Sequence, residues 1–179
     1  MRKILLALDG SGHAQRALDL AVMLAKATGS ELAILNVVTG HPITDAERNL
    51  AETEYWTEVS GALDALPPAA PEEGPQTIPS GPGALIRASH ETGAVVRKVL
   101  GEQMVRQAAL MAESKGVAKV STAVENGDPA SVIIRQAKAL EADMTILGSR
   151  GLSDMEGLFL GSVSHKVAHA APGSVVIVK

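Results

Sequence analysis

The chain has no cysteine and only three aromatic residues, one each of Trp, Tyr and Phe, in a length of 179. Without cysteine there is no disulfide framework, thiolate zinc site, Fe–S cluster or cysteine nucleophile. With Tyr55, Trp56 and Phe159 as the whole aromatic inventory, an aromatic base-stacking surface is almost excluded too. Cations are also in short supply: 16 Lys and Arg against 20 Asp and Glu leave a net charge of −4. A nucleic-acid platform carries the opposite excess, so no nucleic-acid partner is expected. Long apolar runs are missing as well. Nothing approaches the roughly 18 residues of a membrane span. Ile4 to Leu8, behind Met1-Arg2-Lys3, falls short of the roughly 7–15 apolar residues of a signal peptide. A soluble, cytoplasmic protein with no membrane insertion is expected.

What is present suits one domain, since 46% of the residues are hydrophobic and a single core serves chains up to roughly 250 residues. Ile4 to Leu8 is a short apolar run stopped by Asp9-Gly10-Ser11, which predicts a buried strand ending in a turn. Ala14, Ala17, Leu18, Ala21, Leu24 and Ala25 then recur at helical spacing, with Gly29 as a stop. Leu32 to Val38 predicts a second strand and Val117 to Val124 a third. Asp128 and Pro129 suit the cap and first residue of a helix carrying Ile133, Ala137 and Leu140. Met144 to Leu147 is the fourth strand, Ser162 to Ala170 a helix that Ser162 would cap, and Val175 to Val178 the last strand. Alternating strands and helices indicate an α/β fold, an open five-stranded parallel sheet with helices on both faces. Continuously apolar strands agree with that, because both faces of such a sheet are covered.

Residues 39–92 break the rhythm and read as an insert in this single domain. Asp45 to Leu66 predicts one helix with Trp56, Val59, Leu63 and Leu66 on one side. The stretch 67–82 holds six of the nine prolines, which bars regular helix and central strand; it reads as a mobile segment, with a lid or contact surface as the alternative. A helix from about Ala94 to Ser114 resumes the fold despite Gly101 within it.

In an open parallel sheet, ligands bind outside the carboxyl ends of the strands where the strand order reverses. Two such ends carry suggestive residues. Asp9-Gly10-Ser11 follows the first strand. Gly148-Ser149-Arg150-Gly151 follows the fourth, and after nine more residues Gly161-Ser162-Val163-Ser164 opens the last helix. Glycines at 148 and 151 let backbone approach a ligand closely. Ser162 and Ser164 stand beside exposed N–H groups at a helix start, an anion site, and Arg150 adds a cation for phosphate oxygens. A phosphate-bearing ligand follows from these residues alone. No Gly-Lys-Ser/Thr occurs, so this is no P-loop, and Asp9-Gly10-Ser11-Gly12 lacks the Gly-x-Gly-x-x-Gly spacing of a dinucleotide fold.

The spacing Gly148-x2-Gly151-x9-Gly161-Ser162 resembles the ATP-binding signature of the universal stress protein family. Ile4-Leu5-Leu6-Ala7-Leu8-Asp9-Gly10-Ser11 is similar to that family's opening strand and acidic turn, and Asn126-Gly127-Asp128-Pro129-Ala130 to its Gly-Asp-Pro helix start. The likeness covers about 1–38 and 94–179. It implies a Rossmann-like α/β sandwich, akin to the adenine nucleotide alpha hydrolases, that dimerises through the last strand, here Ser174 to Val178. The long glycine spacing implies the ATP-binding group of the family. By resemblance, Asp9 and the backbone at Ala7 border the adenosine and Val38 covers the adenine. Gly148, Arg150 and Gly151 lie along ribose and phosphates, while Gly161, Ser162, Val163 and Ser164 hold the phosphates. Asp9 is the one residue that could reach Mg²⁺ carried by ATP. The insert follows directly on Val38, where the adenine side of the pocket would lie.

Plainer readings stand beside these. Asp9 could simply cap the first helix, Gly148 and Gly151 could be turn glycines, and Arg150 a solvated side chain. His165 and His169 have the spacing of a two-histidine metal pair, but Lys166 stands where the metalloprotease pattern needs Glu, so a solvated face is expected and no metal site. Three functions compete: an ATP-binding regulator, a slow ATP hydrolase or phosphoryl-transfer enzyme, and an interaction module built on the Pro-rich insert. No second carboxylate motif supports the hydrolase and no catalytic residue is assigned. The ATP-binding regulator is the reading taken forward.

Overall fold

The computed structural model of the chain describes residues 2–65, 82–151 and 160–179, residues 82–91 by backbone alone. The Pro-rich stretch 67–82 lies outside them except for Pro82. The chain divides into two compact units, Met1–Thr39 with Gly101–Lys179, and Gly40–Leu100.

The first unit is built on a parallel sheet of five strands: β1 (Lys3–Leu8), β2 (Glu31–Val38), β3 (Val120–Asn126), β4 (Met144–Gly148) and β5 (Ser174–Val178), in the order β3-β2-β1-β4-β5. Side chains alternate between the faces of a strand, so the apolar runs feed two cores. Ile4, Leu6, Leu32, Ile34 and Ile146 meet α1 (Gly12–Thr28) and the C-terminal part of α4 (Pro82–Ser114). Leu5, Ala33, Leu35 and Leu147 meet α5 (Pro129–Ala139) and α6 (Ser162–Ala170). The five-stranded parallel α/β sheet is as expected. β3 departs from the continuous-apolar rule: its middle residues Ser121, Thr122 and Ala123 are exposed.

Local chemistry accounts for the element ends. Ser11 caps α1, and Gly29 closes it in the left-handed conformation at φ 64°, where a Cβ is costly. Asp128 caps α5, accepting the Ser131 N–H at 3.0 Å, with Pro129 first in the helix. That N–H and the Ser131 hydroxyl hold the Asp128 carboxyl below its ordinary value. The third strand begins three residues later than expected, at Val120. Val117 belongs instead to the end of α4. Its N–H donates to the Ala112 carbonyl at 3.0 Å beyond Gly116 at φ 95°, the bond of a Schellman close that buries the following apolar residue.

In the second unit, one expected helix is two: α2 (Asp45–Glu54) and α3 (Trp56–Asp64), broken at Tyr55 with φ −127° and ψ 24°. The break takes Trp56 out of the apolar stripe and leaves it exposed, while Val59 stays buried with Ala51, Val96 and Val99. Leu66 lies outside the described residues. Thr44 and Glu47 form a reciprocal capping box on α2, and Arg97 bridges Glu47 at 3.0 Å. Burial raises the Glu47 pKa, but the bonds from Arg97 and Thr44 outweigh it and hold the carboxyl low. α4 starts twelve residues before the expected Ala94, at Pro82; proline's fixed φ and missing N–H suit a first helical turn.

Among the described residues one buried side-chain atom lacks a partner, the hydroxyl of Thr145 on β4, which is fully buried. A buried unpaired hydroxyl carries its desolvation cost with no return bond. Thr145→Val, nearly the same shape, is therefore expected to stabilise the fold by about 1 kcal/mol, read as a higher urea midpoint at unchanged m-value.

Candidate functional site

The strand order places the site. The chain builds outward from β1 to β2 and β3, then crosses to the other side of β1 for β4 and β5. The order therefore reverses between β1 and β4, and a crevice opens outside their carboxyl ends. Ala7 pairs with Leu147 and Leu8 with Asn36, so Asp9 leaves β1 beside the end of β4.

Asp9 does not cap α1; Ser11 does, its oxygen accepting the Ala14 N–H at 3.1 Å. Asp9 closes the turn before it, one carboxylate oxygen accepting the Ser11 N–H at 3.0 Å, with Gly10 at φ 82°. The other oxygen faces Gly151, where an added Cβ would stand only 2.7 Å away. The Ser11 hydroxyl also lies 3.3 Å from the Arg150 carbonyl, to which it donates. Asp9, Arg150 and Gly151 are thus brought together. Beside them Ser11, Gly12, His13, Arg16, Arg150 and Gly151 line a cleft of about 180 Å³. A larger hollow of about 330 Å³, among Asp19, Met23, Lys26 and Lys115, lies at the far ends of α1 and α4. The strand-end chemistry, rather than volume, marks the smaller cleft.

Gly148 has its own use. A Cβ there would stand 2.9 Å from the His13 Cβ and 3.0 Å from the Ala14 nitrogen, so the missing side chain is the space in which the first turn of α1 rests on β4.

The last helix is capped differently from the expectation. Gly161, not Ser162, is the N-cap, in extended conformation with no side-chain cap bond; Ser162 is the first helical residue. A hydroxyl at 162 sits within the helical turn, whereas capping needs the extended residue before it. The leading N–H groups of a helix have no intrahelical acceptor, so those of Ser162, Val163 and Ser164 are left to whatever lies before α6. The Ser164 side chain is buried, and its hydroxyl donates to the carbonyls of Ser149 and Gly161, both at 2.9 Å. What Ser164 offers a ligand is its N–H.

Ser149 ties these pieces. Its N–H donates to Val178 at 2.7 Å and its carbonyl accepts the Gly161 N–H at 2.8 Å, while its hydroxyl lies 3.4 Å from His13 Nδ1. The ends of β4 and β5, the start of α6 and the first turn of α1 therefore meet at one buried serine. Val38 is buried at the end of β2, its carbonyl accepting the Gly127 N–H at 3.1 Å. It lies two strands from β4, about 10 Å at the usual strand spacing. Ala7 is half-buried on the α5 and α6 face. The site residues thus spread across three strand ends, from Val38 past Asp9 to Gly161.

Sequence reasoning missed Ser149 as a tie and Asn36 altogether. The available signal for Asn36 was one amide within an apolar parallel strand, opposite a glycine in the middle of a helix. Among the described residues no group of three metal-ligating side chains occurs. The His165 and His169 rings lie 5.4 Å apart, tilted by 59°, on an exposed face of α6. No described helix is long and apolar enough to cross a membrane.

A doubly wound parallel sheet with helices on both faces, and glycine turns and an arginine at its switch point, defines an α/β protein of the open-sheet class. The model of the universal stress protein family matches residues 1–179, and the chain belongs to that family. The match runs on through residues 39–92, where the sequence motifs alone carried no likeness. The universal stress protein YxiE of Bacillus subtilis is 31% identical, over 99% of this chain and 98% of its own. Among solved structures, a universal stress protein in complex with cAMP aligns at TM-score 0.59 and 21% identity, covering 99% of this chain and 97% of that one. The universal stress protein of Archaeoglobus fulgidus in complex with dAMP aligns at 0.54 and 16%, covering 100% and 98%. The two structures share the fold.

Proposed function

We propose that the chain binds ATP in the crevice between β1 and β4 and acts as a nucleotide-dependent regulatory protein of the stress response in the cytoplasm. The observation that carries this reading is the start of α6, which lies against the Ser149 carbonyl at the end of β4 and whose N-cap, Gly161, makes no side-chain cap bond. A helix start favours an anion through both its free N–H groups and its dipole. Arg150, on the adjoining loop, adds a cation. That the family neighbours described above were solved with cAMP and with dAMP supports adenine as the base.

In this reading the backbone at Ala7 and the Asp9 carboxylate border the adenosine, and Val38 covers the adenine. Gly148, Arg150 and Gly151 follow the ribose and phosphates. Gly161, Ser162, Val163 and Ser164 receive the phosphates through backbone N–H groups. Mg²⁺ generally keeps several waters and takes one or two carboxylates plus phosphate oxygens, so Asp9 alone suffices as its protein ligand. β5, paired on one side with β4 and ending the sheet order, presents an open, partly apolar edge. Such an edge favours pairing with a second copy through Ser174 to Val178.

The test is to denature freshly purified protein and identify what it releases. Stoichiometric ATP from a species that sediments as a dimer is the expected result. ADP with free phosphate would move the function to hydrolysis. A protein that is empty and does not take up added ATP overturns the nucleotide reading.

A further inference from the structure

Asn36 is the one amide in the apolar run of β2, and it is more than nine-tenths buried, with 7% of its surface exposed. Its Nδ2 donates to the Leu8 carbonyl at 2.9 Å and lies 3.8 Å from the Met104 sulfur. The Leu8 carbonyl and the Asp9 nitrogen belong to one planar peptide unit. A bond that fixes the carbonyl therefore fixes the direction in which Asp9 leaves β1. Met104, one turn along α4 from Gly101, bears on the next residue: its Cε would stand 3.0 Å from a Cβ at Gly10.

Gly101 explains how the amide fits. A Cβ at position 101 would stand 2.5 Å from Asn36 Oδ1 and 3.2 Å from a Val124 methyl. Glycine within a helix costs about 1 kcal/mol relative to alanine, so propensity alone argues against it here. The space is needed by the Asn36 side chain.

We propose that Asn36 is a positioning residue for nucleoside recognition: lodged against Gly101, it holds the Leu8–Asp9 peptide and so aims the Asp9 carboxylate into the crevice. This rests on the reading of the crevice as a nucleotide site. The role is confined to the Asp9 end, so it acts on the nucleoside and leaves the phosphate contacts at α6 alone.

The experiment uses Asn36→Leu, Gly101→Ala, Asn36→Ala and the double variant Asn36→Ala/Gly101→Ala, each in the full chain. Two quantities are read: the affinities for ATP and AMP, and hydrogen exchange at the Ser11 amide, which donates to Asp9. Asn36→Leu is expected to lower both affinities by the same factor, about tenfold, the worth of one well-placed hydrogen bond, and to speed Ser11 exchange selectively. Gly101→Ala is expected to do the same in the parent and to have little further effect once Asn36 is alanine, because the 2.5 Å clash with Oδ1 is then gone and the Val124 methyl at 3.2 Å has only to give slightly. Folded Asn36→Leu with parental affinities and parental Ser11 exchange overturns the proposal. So does faster exchange spread over the whole sheet, which would mark a merely structural role. If variants at Asn36 unfold, Gly101→Ala in the parent decides: parental affinities and parental Ser11 exchange in that folded variant overturn the proposal. If the parent binds neither ATP nor AMP, the nucleotide reading fails by itself, and unchanged Ser11 exchange in Asn36→Leu still overturns the positioning role.

Discussion

Gly161→Val is expected to abolish nucleotide binding while leaving the fold in place. Gly161 has φ −70° and ψ 160°, a conformation open to any residue, so valine is not strained there. Its Cβ would stand 3.3 Å from the Ser149 carbonyl and 3.6 Å from the Arg150 Cα, close but short of collision. The two methyl groups must then extend away from that loop, over the N–H groups that open α6. Hydrogen bonds to a charged group are worth roughly 1.5–3 kcal/mol each. Covering more than one costs ATP at least about 100-fold in affinity. Adenosine, lacking phosphates, should lose far less. Calorimetric titration with ATP and adenosine, next to a urea unfolding curve, gives the answer. Parental ATP affinity in a folded Gly161→Val would remove α6 from the site.

Gly148→Ala, at the other glycine-bearing loop, is expected to act in the opposite sense, on the fold before the ligand. Here the obstacles are the His13 Cβ at 2.9 Å and the Ala14 nitrogen at 3.0 Å, parts of a helix rather than the free end of a side chain. α1 must shift off β4, and overpacking of this kind costs roughly 1–3 kcal/mol. For a chain of this size that corresponds to a fall in Tm of about 4–8 °C for the middle of the range. Since Ser11 starts α1 and reaches the Arg150 carbonyl, some affinity goes with it. A Gly148→Ala protein with unchanged Tm and weakened ATP binding would make the glycine a ligand contact instead of a packing device.

The two glycines look alike in sequence. Each belongs to the same spaced motif, and each invites the same account, backbone drawn close to phosphate. Only three-dimensional neighbours separate them, because what a missing Cβ makes room for is set by residues far along the chain: His13 in one case, the Ser149 loop in the other. The same holds for the serines of Gly161-Ser162-Val163-Ser164. Their spacing shows a helix start, but the cap is Gly161 and the Ser164 hydroxyl is turned to carbonyls of the loop.

Local chemistry was read well where it acts over a few residues. Asp128-Pro129 opens α5 and Gly29 closes α1 as anticipated. Val117 was misplaced because an apolar residue after a helix satisfies both a strand pattern and a Schellman close, and the backbone bond to Ala112 decides between them. The helix break at Tyr55 left no proline or glycine as a sign, so periodicity ran on through it.

By itself, the sequence determined the class of this protein: a parallel α/β sheet, from short apolar runs separated by helical periodicity, and membership of its family, from motifs in fixed order. Those properties depend on residue type and spacing, which a linear chain displays. The tertiary structure alone decided that Ser149 ties two strands to two helices, and that Asn36 and Gly101 interlock beneath Asp9. Such relations join residues as far as 136 positions apart, and close packing, which leaves no room for an extra carbon atom, is what makes them specific.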